Sequence, residues 1–184
     1  MNIFIYISAV VVIILLFITF TYNQCIKLLN YVKEAFSTMD VYLKKRWDLI
    51  PNLVETVKGY SRHEKSTLEE VTALRNLSYV NLSQEQKVDI NNRIDIGLTK
   101  LIALAENYPE LKASENFSKL QTELSTIEED IANSRKYYNG CVREFNTFTQ
   151  LFPINIIAKM FNFKEQKMFE IDSPQRENVK VSLE

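Results

Sequence analysis

Residues 3–20 read IFIYISAVVVIILLFITF, and no charged side chain occurs between Met1 and Ile26. At about 1.5 Å of rise per helical residue, this run is long enough to cross about 30 Å of bilayer hydrocarbon. A cleaved signal peptide typically has a basic start, a shorter apolar run and a cleavage site flanked by small residues. Residues 22–25, YNQC, offer no such site. The sequence therefore predicts an uncleaved, single transmembrane helix.

The charges that follow this run indicate an orientation. Between Lys27 and Arg46 there are five Lys or Arg residues and two acidic residues, against only the α-amino group on the other side. The positive-inside rule then predicts a cell-membrane protein with its N-terminus outside and its helical domain in the cytoplasm. The alternative is that these basic residues only form the solvated face of a helix.

Composition limits the rest of the chain to one folded unit. The 184 residues suffice for one domain plus an anchor, and a net charge of −1 gives no general attraction to nucleic acid. With only three glycines and four prolines, the chain has few residues for the tight turns of a β-sandwich or barrel. The two cysteines do not make a disulfide framework. We therefore expect an all-α fold.

Apolar residues after the anchor recur every three or four positions, which is typical of a heptad seam. The seam continues through Pro51, so we expect a kink there and no loop, with the transmembrane helix continuing directly into the bundle. The seam positions are Tyr22, Cys25, Leu29, Val32, Phe36, Met39, Leu43, Arg46, Ile50, Leu53, Val57 and Tyr60.

Capping signals divide the remainder into further helices. Gly59 ends the first helix, and a capping box at Ser61 predicts a second over about residues 62–79. A second capping box, at Ser83, begins a third that ends before Pro109. A long fourth helix runs from near residue 114 to before residue 153, with inward positions from Phe117 to Phe148. Short loops favour an elongated antiparallel bundle of about four helices, followed by a short apolar C-terminal helix.

The last part of the chain is unusually apolar. Residues 152–163, FPINIIAKMFNF, are apolar nearly all round except for a stripe of Asn155, Lys159 and Asn162, and such a surface is not stable alone in water. The segment could cap the bundle, lie in the membrane interface or form a contact between copies. The predicted membrane- or partner-contacting residues are Phe152, Ile154, Ile156, Ile157, Met160, Phe161 and Phe163.

The domain organisation follows from these boundaries. We expect a transmembrane anchor at residues 1–26, an antiparallel helical bundle at 27–151, an apolar C-terminal segment at 152–171 and a disordered tail at 172–184.

Three stretches carry a family resemblance. They are residues 40–64, DVYLKKRWDLIPNLVETVKGYSRHE; Tyr138-Asn139 with Phe145-Asn146; and residues 152–170, FPINIIAKMFNFKEQKMFE. Together they closely resemble the LemA family. The resemblance implies a bacterial membrane protein with one N-terminal span and an antiparallel helical bundle. It implies little about activity, because the family as a whole has no established biochemical function. Relatives in magnetosome-forming bacteria are associated with building internal membranes, which suggests membrane scaffolding.

No motif for catalysis, cofactor or metal binding is found. The one histidine, His63, stands beside a capping box, and the cysteines are far apart in sequence, so no metal site is predicted. The three glycines stand singly and give neither a P-loop nor a dinucleotide fingerprint. The carboxylates of residues 128–130 lie off the seam and are expected to form a solvated helix face. We predict no catalytic residue, no cofactor and no enzyme activity.

Arg46 occupies a seam position among apolar neighbours, where a charge is costly unless it is paired. Asp40 lies on another face of the same helix, so we expect a carboxylate from another helix to form a structural ion pair with Arg46. The alternative is a functional site at Arg46.

These observations predict a non-enzymatic, membrane-anchored scaffold or interaction protein. Its expected partners are the lipid bilayer, further copies of itself and another membrane protein, but not nucleic acid. A role in shaping or organising membrane is part of this prediction. The alternative is an adaptor or regulator of a membrane-bound protease or signalling enzyme.

Overall fold

The computed structural model describes residues 2–59 and 79–169. These residues form helices and no strand, so the predicted all-α class is confirmed for this part of the chain. The predicted second helix, His63 and the predicted tail lie outside the described residues. The described helices are α1 (Asn2–Lys58), α2 (Gln84–Glu106), α3 (Pro109–Lys112), α4 (Glu115–Gln150) and α5 (Ile154–Met160), with a 3₁₀ turn at Tyr79–Asn81.

Helix α1 carries both the apolar run and the seam. It is continuous over 57 residues and contains Pro51, so the proline does not end it. The side chains of the apolar run are exposed, whereas those from Cys25 to Val57 are buried at intervals of three and four. Among the described residues, α1 is the one helix that is long and apolar enough to cross a membrane. The predicted continuation of the first helix into the folded domain is confirmed.

The ends of α2 follow from its sequence. The Gln86 backbone N–H donates to Ser83 Oγ over 3.2 Å, and the Ser83 N–H donates to Gln86 Oε1 over 2.9 Å, which confirms the predicted capping box. The helix ends at Glu106, and Pro109 then takes the first position of α3, where its missing N–H costs nothing. A cis peptide bond joins Phe152 to Pro153 between α4 and α5.

The chain forms two compact units. The first combines described residues of 1–39 and 134–168, and the second contains those of 40–133 with Phe169. In the first unit, Phe36 packs on Tyr138 and Tyr22 packs on Phe161, so α4 leads back along α1 in the antiparallel sense. In the second unit, Asp40 pairs with Lys87 and Arg46 bonds Asn91, so α1 and α2 run parallel.

The buried side chains mostly match the predicted seams, with several shifts by one residue. Thr21 is 1% exposed, whereas the predicted seam residue Tyr22 is 37% exposed. Leu28 is buried where the spacing selected the half-buried Leu29, and Val142 is fully buried beside the half-buried Cys141. A straight helix has 3.6 residues per turn and therefore drifts against a strict seven-residue repeat. The apolar cores include Leu28, Val32, Phe36, Met39, Tyr138, Val142 and Phe145 in the first unit, and Leu43, Ile50, Leu53, Val57, Ile90, Ile94, Leu98, Leu101, Leu111, Phe117, Leu124, Ile127 and Ile131 in the second.

Candidate functional site

Helix α5 has one buried and one exposed apolar face. Ile157 and Ala158 are only 6% and 3% exposed, so this face packs against the chain. Phe152, Ile156 and Met160 are 81%, 59% and 61% exposed. Ile156 and Met160 lie four residues apart on α5 and therefore share one face, and Phe152 lies in the turn just before the helix. We call these three exposed residues the outer stripe. The predicted contact residues therefore divide into inward and outward groups, with Ile154 and Phe163 half-buried between them.

Aromatic rings fix α5 at the end of the apolar run of α1. The ring centroid of Phe161 lies 4.9 Å from that of Tyr22, and the Phe163 ring lies 5.8 Å from Tyr22 and 6.4 Å from Phe145. Tyr22 follows the last residue of the apolar run, Phe20, by two positions, which is about 3 Å along a helix axis. The C-terminal end of α5 is therefore level with the end of the apolar run.

The end of α5 is a Schellman motif. Asn162 has a φ of 57°, in the left-handed region that Asn tolerates better than most residues. The Phe163 N–H donates to the Ala158 carbonyl over 2.9 Å, and the Asn162 N–H donates to the Lys159 carbonyl over 3.1 Å. Asn162, predicted as part of a polar stripe, thus turns the chain so that Phe163 reaches Tyr22.

Two side chains of α4 hold the extended segment that follows α5. Asn146 Nδ2 donates to the Gln166 carbonyl over 2.8 Å, and the Gln166 N–H donates to Asn146 Oδ1 over 2.9 Å. The Tyr138 hydroxyl donates to the Lys167 carbonyl over 3.0 Å, and burial raises the pKa of that hydroxyl. These bonds satisfy a backbone that lies outside regular secondary structure. We call Asn146 and Tyr138 the clamp.

Sequence reasoning missed the clamp, although a signal was present. Asn146 directly follows Phe145, a predicted inward position, so the sequence places this amide beside the core, where it requires hydrogen-bond partners. Both clamp residues belong to the short stretches on which the family resemblance rests. Tyr138 was placed in the core by its spacing, which is correct for its ring but does not reveal the bond of its hydroxyl.

Arg46 forms a buried polar network in the second unit, with partners from other helices. Its side chain is 2% exposed, and Nη1 pairs with Asp95 of α2 and lies 3.2 Å from Glu128 Oε1 of α4. Nη2 donates to Asn91 Oδ1 over 2.7 Å and to the Asn91 carbonyl over 3.2 Å. Glu128 is half-exposed and still reaches Arg46, so it differs from the fully solvated residue that the sequence predicted.

Asp40 belongs to a neighbouring network. It accepts a hydrogen bond of 2.7 Å from the Tyr79 hydroxyl, and its other oxygen lies 2.6 Å from Lys87 Nζ. The Tyr79 ring packs on Trp47 with centroids 5.3 Å apart. Burial, followed by the hydrogen bond to the Asp40 carboxylate, raises the pKa of the Tyr79 hydroxyl.

These charged groups have partners within the described chain. Arg46 and Asp40 face charged and hydrogen-bonding partners inside the protein, which compensates for their desolvation. Within residues 2–59 and 79–169, no three His, Cys, Asp or Glu side chains are grouped as a metal ion requires. Cys25 and Cys141 are free thiols. The outer stripe differs from these paired groups, because its apolar side chains are exposed.

Comparison with known proteins gives one family. The model of the LemA family matches residues 35–183. Protein LemA of Metamycoplasma hominis is 26% identical over 161 residues, which cover 87% of this chain and 74% of that protein. Magnetosome protein MamQ 2 of Paramagnetospirillum magneticum is 29% identical over 73 residues, covering 40% of this chain and 27% of that protein. Magnetosome protein MamQ of Magnetospirillum gryphiswaldense is 26% identical over 72 residues, which cover 39% of this chain and 26% of that protein.

Proposed function

The chain belongs to the LemA family, and we propose that it is a non-enzymatic membrane scaffold anchored by α1, which associates with further copies of itself. In this proposal the apolar run of α1 crosses the bilayer once. The rest of the chain forms a helical body that organises membrane-bound components from one side. The similarity of part of this sequence to magnetosome proteins supports a membrane-associated role.

The continuity of α1 is the observation that carries this proposal. The exposed apolar run passes into the buried seam without a loop, and the seam is packed against α4 within the first unit. A continuous hydrogen-bonded helix is much stiffer than a flexible linker. Such a connection suits a scaffold, which has to hold its surfaces at a set height above the bilayer.

The polar groups of the body support the non-enzymatic part of the proposal. The buried charge of Arg46 and the half-buried charge of Asp40 are both paired with partners within the protein, which supports a structural role for them. A catalytic acid or base needs a titratable group within reach of a bound substrate.

The orientation in this proposal has the N-terminus outside and the helical body in the cytoplasm. Ser37 is exposed on α1 beyond the apolar run. With Cys25 and Cys141 replaced by Ala, Ser37→Cys should react with a membrane-impermeant maleimide in inverted membrane vesicles and not in intact cells. Labelling of Ser37→Cys in intact cells would show the opposite orientation, with the helical body outside.

The mass of the full chain tests the scaffold proposal. Crosslinking in native membranes, followed by light scattering in mild detergent, should give one discrete homo-oligomer. A monomer that co-purifies stoichiometrically with a membrane protease or signalling enzyme would contradict the scaffold and support an adaptor. A variant with one altered surface side chain serves as a control for the measurement. Lys119→Ser, on the exposed face of α4, should give the same oligomer mass as the wild type because the Lys119 side chain is solvated.

A further inference from the structure

We propose that α5 lies in the interface of the same bilayer that α1 crosses, with the outer stripe of Phe152, Ile156 and Met160 inserted among the lipid acyl chains. This inference rests on the proposed anchoring by α1 and adds a second, non-spanning contact with the membrane. The occupant of the exposed face is thus a lipid surface.

The number of exposed apolar side chains is the first argument. Leu151, 53% exposed, precedes the outer stripe directly, and Phe161, 44% exposed, follows it. Five large apolar side chains are thus exposed within residues 151–161. A soluble protein rarely exposes so large an apolar patch unless the patch meets a partner or a membrane.

The level of α5 is the second argument. Because Phe161 packs on Tyr22, just past the apolar run, the end of α5 lies where a spanning α1 leaves the hydrocarbon. The headgroup layer on each side of the hydrocarbon is several Å thick, and an interfacial helix buries its apolar face about 5–10 Å into that boundary. Tyrosine rings are also enriched at this depth.

The polar residues around the stripe are the third argument. Lys159 and Lys164 are both exposed, one within α5 and the other just after it. Lysine side chains beside an apolar face can extend towards lipid phosphates while the apolar side chains enter the acyl region. A protein partner would not explain why the patch lies at the membrane level.

The two faces of α5 also account for the capping alternative. Ile157 and Ala158 already close the first unit with their buried face. The outer stripe makes no such contact with the described chain, so capping explains the inner face and leaves the outer one for the lipid.

Tryptophan quenching by brominated lipids tests this inference in the full chain. Trp47, the single tryptophan, is replaced by Phe, and one reporter is introduced per variant: Ile156→Trp for the outer stripe, Val12→Trp for the span and Ser37→Trp as the exposed control. Each variant is reconstituted in phosphatidylcholine–phosphatidylglycerol vesicles. The expected result is that Ile156→Trp loses most of its fluorescence with lipids brominated near the headgroup, and less with lipids brominated near the chain end.

The controls separate this inference from the proposed function. Val12→Trp should be quenched most by bromine near the chain end, and Ser37→Trp should not be quenched. If Val12→Trp is quenched while Ile156→Trp behaves like Ser37→Trp, the interfacial position of α5 is refuted and the anchor stands. If Val12→Trp is not quenched, the anchor is refuted as well.

A second reporter guards against a local folding defect. Met160→Trp lies on the same stripe and should repeat the result of Ile156→Trp, with unchanged helix content by circular dichroism. Shielding of both reporters by a crosslinked second copy, without lipid quenching, would assign the stripe to a contact between copies and refute the inference.

Discussion

The network around Arg46 predicts an order of destabilisation that depends on which partner is removed. Asp95→Asn leaves a guanidinium that is 2% exposed, with the half-exposed Glu128 as its remaining anionic partner among residues 2–59 and 79–169. Removing one partner of a buried ion pair costs about 3–5 kcal/mol. Because Glu128 remains, we expect the lower end, about 3 kcal/mol, which corresponds to a fall in Tm of roughly 6–12 °C.

The other variants should cost less, each for a stated reason. Arg46→Met leaves the Asp95 carboxylate, which is 21% exposed and can be hydrated, so we expect a loss of about 2 kcal/mol. Glu128→Gln changes a side chain that is 50% exposed, and such pairs contribute at most about 1 kcal/mol. The double variant Arg46→Met with Asp95→Leu removes both charges and should lie within about 1 kcal/mol of wild type.

Urea unfolding of the full chain in detergent, followed by far-ultraviolet circular dichroism, measures these differences. The exposed pair of Lys44 and Asp48 provides the matched control, and Lys44→Met should cost less than about 1 kcal/mol. The reasoning is refuted if Glu128→Gln destabilises as much as Asp95→Asn. It is also refuted if Asp95→Asn unfolds at the wild-type midpoint.

Three further predictions concern the clamp, Tyr79 and the end of α5. Asn146→Ala removes both hydrogen bonds to Gln166, so it should lower the free energy of unfolding by about 1–3 kcal/mol and speed hydrogen exchange in the segment after α5. Gln150→Ala, at an exposed site on the same helix, should change neither the stability nor the exchange rate. Because the pKa of the Tyr79 hydroxyl is raised above its ordinary 10.0, its contribution to the free energy of unfolding is complete below about pH 10 and is lost as pH rises further. Tyr79→Phe should therefore make Tm fall less steeply with rising alkaline pH, and equal slopes for the variant and the wild type would contradict this. Asn162→Ala should cost about 1–2 kcal/mol by thermal unfolding whereas Asn162→Gly should not, and equal losses would exclude a backbone cause.

Features that depend on residues close together in the chain could be predicted from the sequence. Apolar spacing identified the seams of α1 and α4, and the Ser83 capping box identified the start of α2, because both signals depend on residues within a few positions of each other. The need of Arg46 for a carboxylate from another helix also followed from its seam position. The choice of Asp95 and Glu128 did not, since it depends on which faces of three helices meet.

The candidate site was predicted as a segment but not as two faces. Composition marked residues 152–163 as apolar nearly all round, and no periodicity separates Ile157 from Ile156 in so short a helix. The separation comes from the contact of Phe161 with Tyr22 and from the bonds of Asn146, which join residues far apart in the chain. Tertiary contacts of this kind leave little trace in a single sequence.

A depth profile along α1 tests the central claim most directly. Spin labels on single cysteines at Ile5, Val12, Thr19, Asn23 and Asn30 are measured in vesicles by their accessibility to oxygen and to a water-soluble nickel complex. The account predicts greatest depth near Val12, arrival at the lipid–water boundary close to Asn23 and full exposure to the nickel complex at Asn30. Nickel accessibility at Val12 equal to that at Asn30 would contradict it.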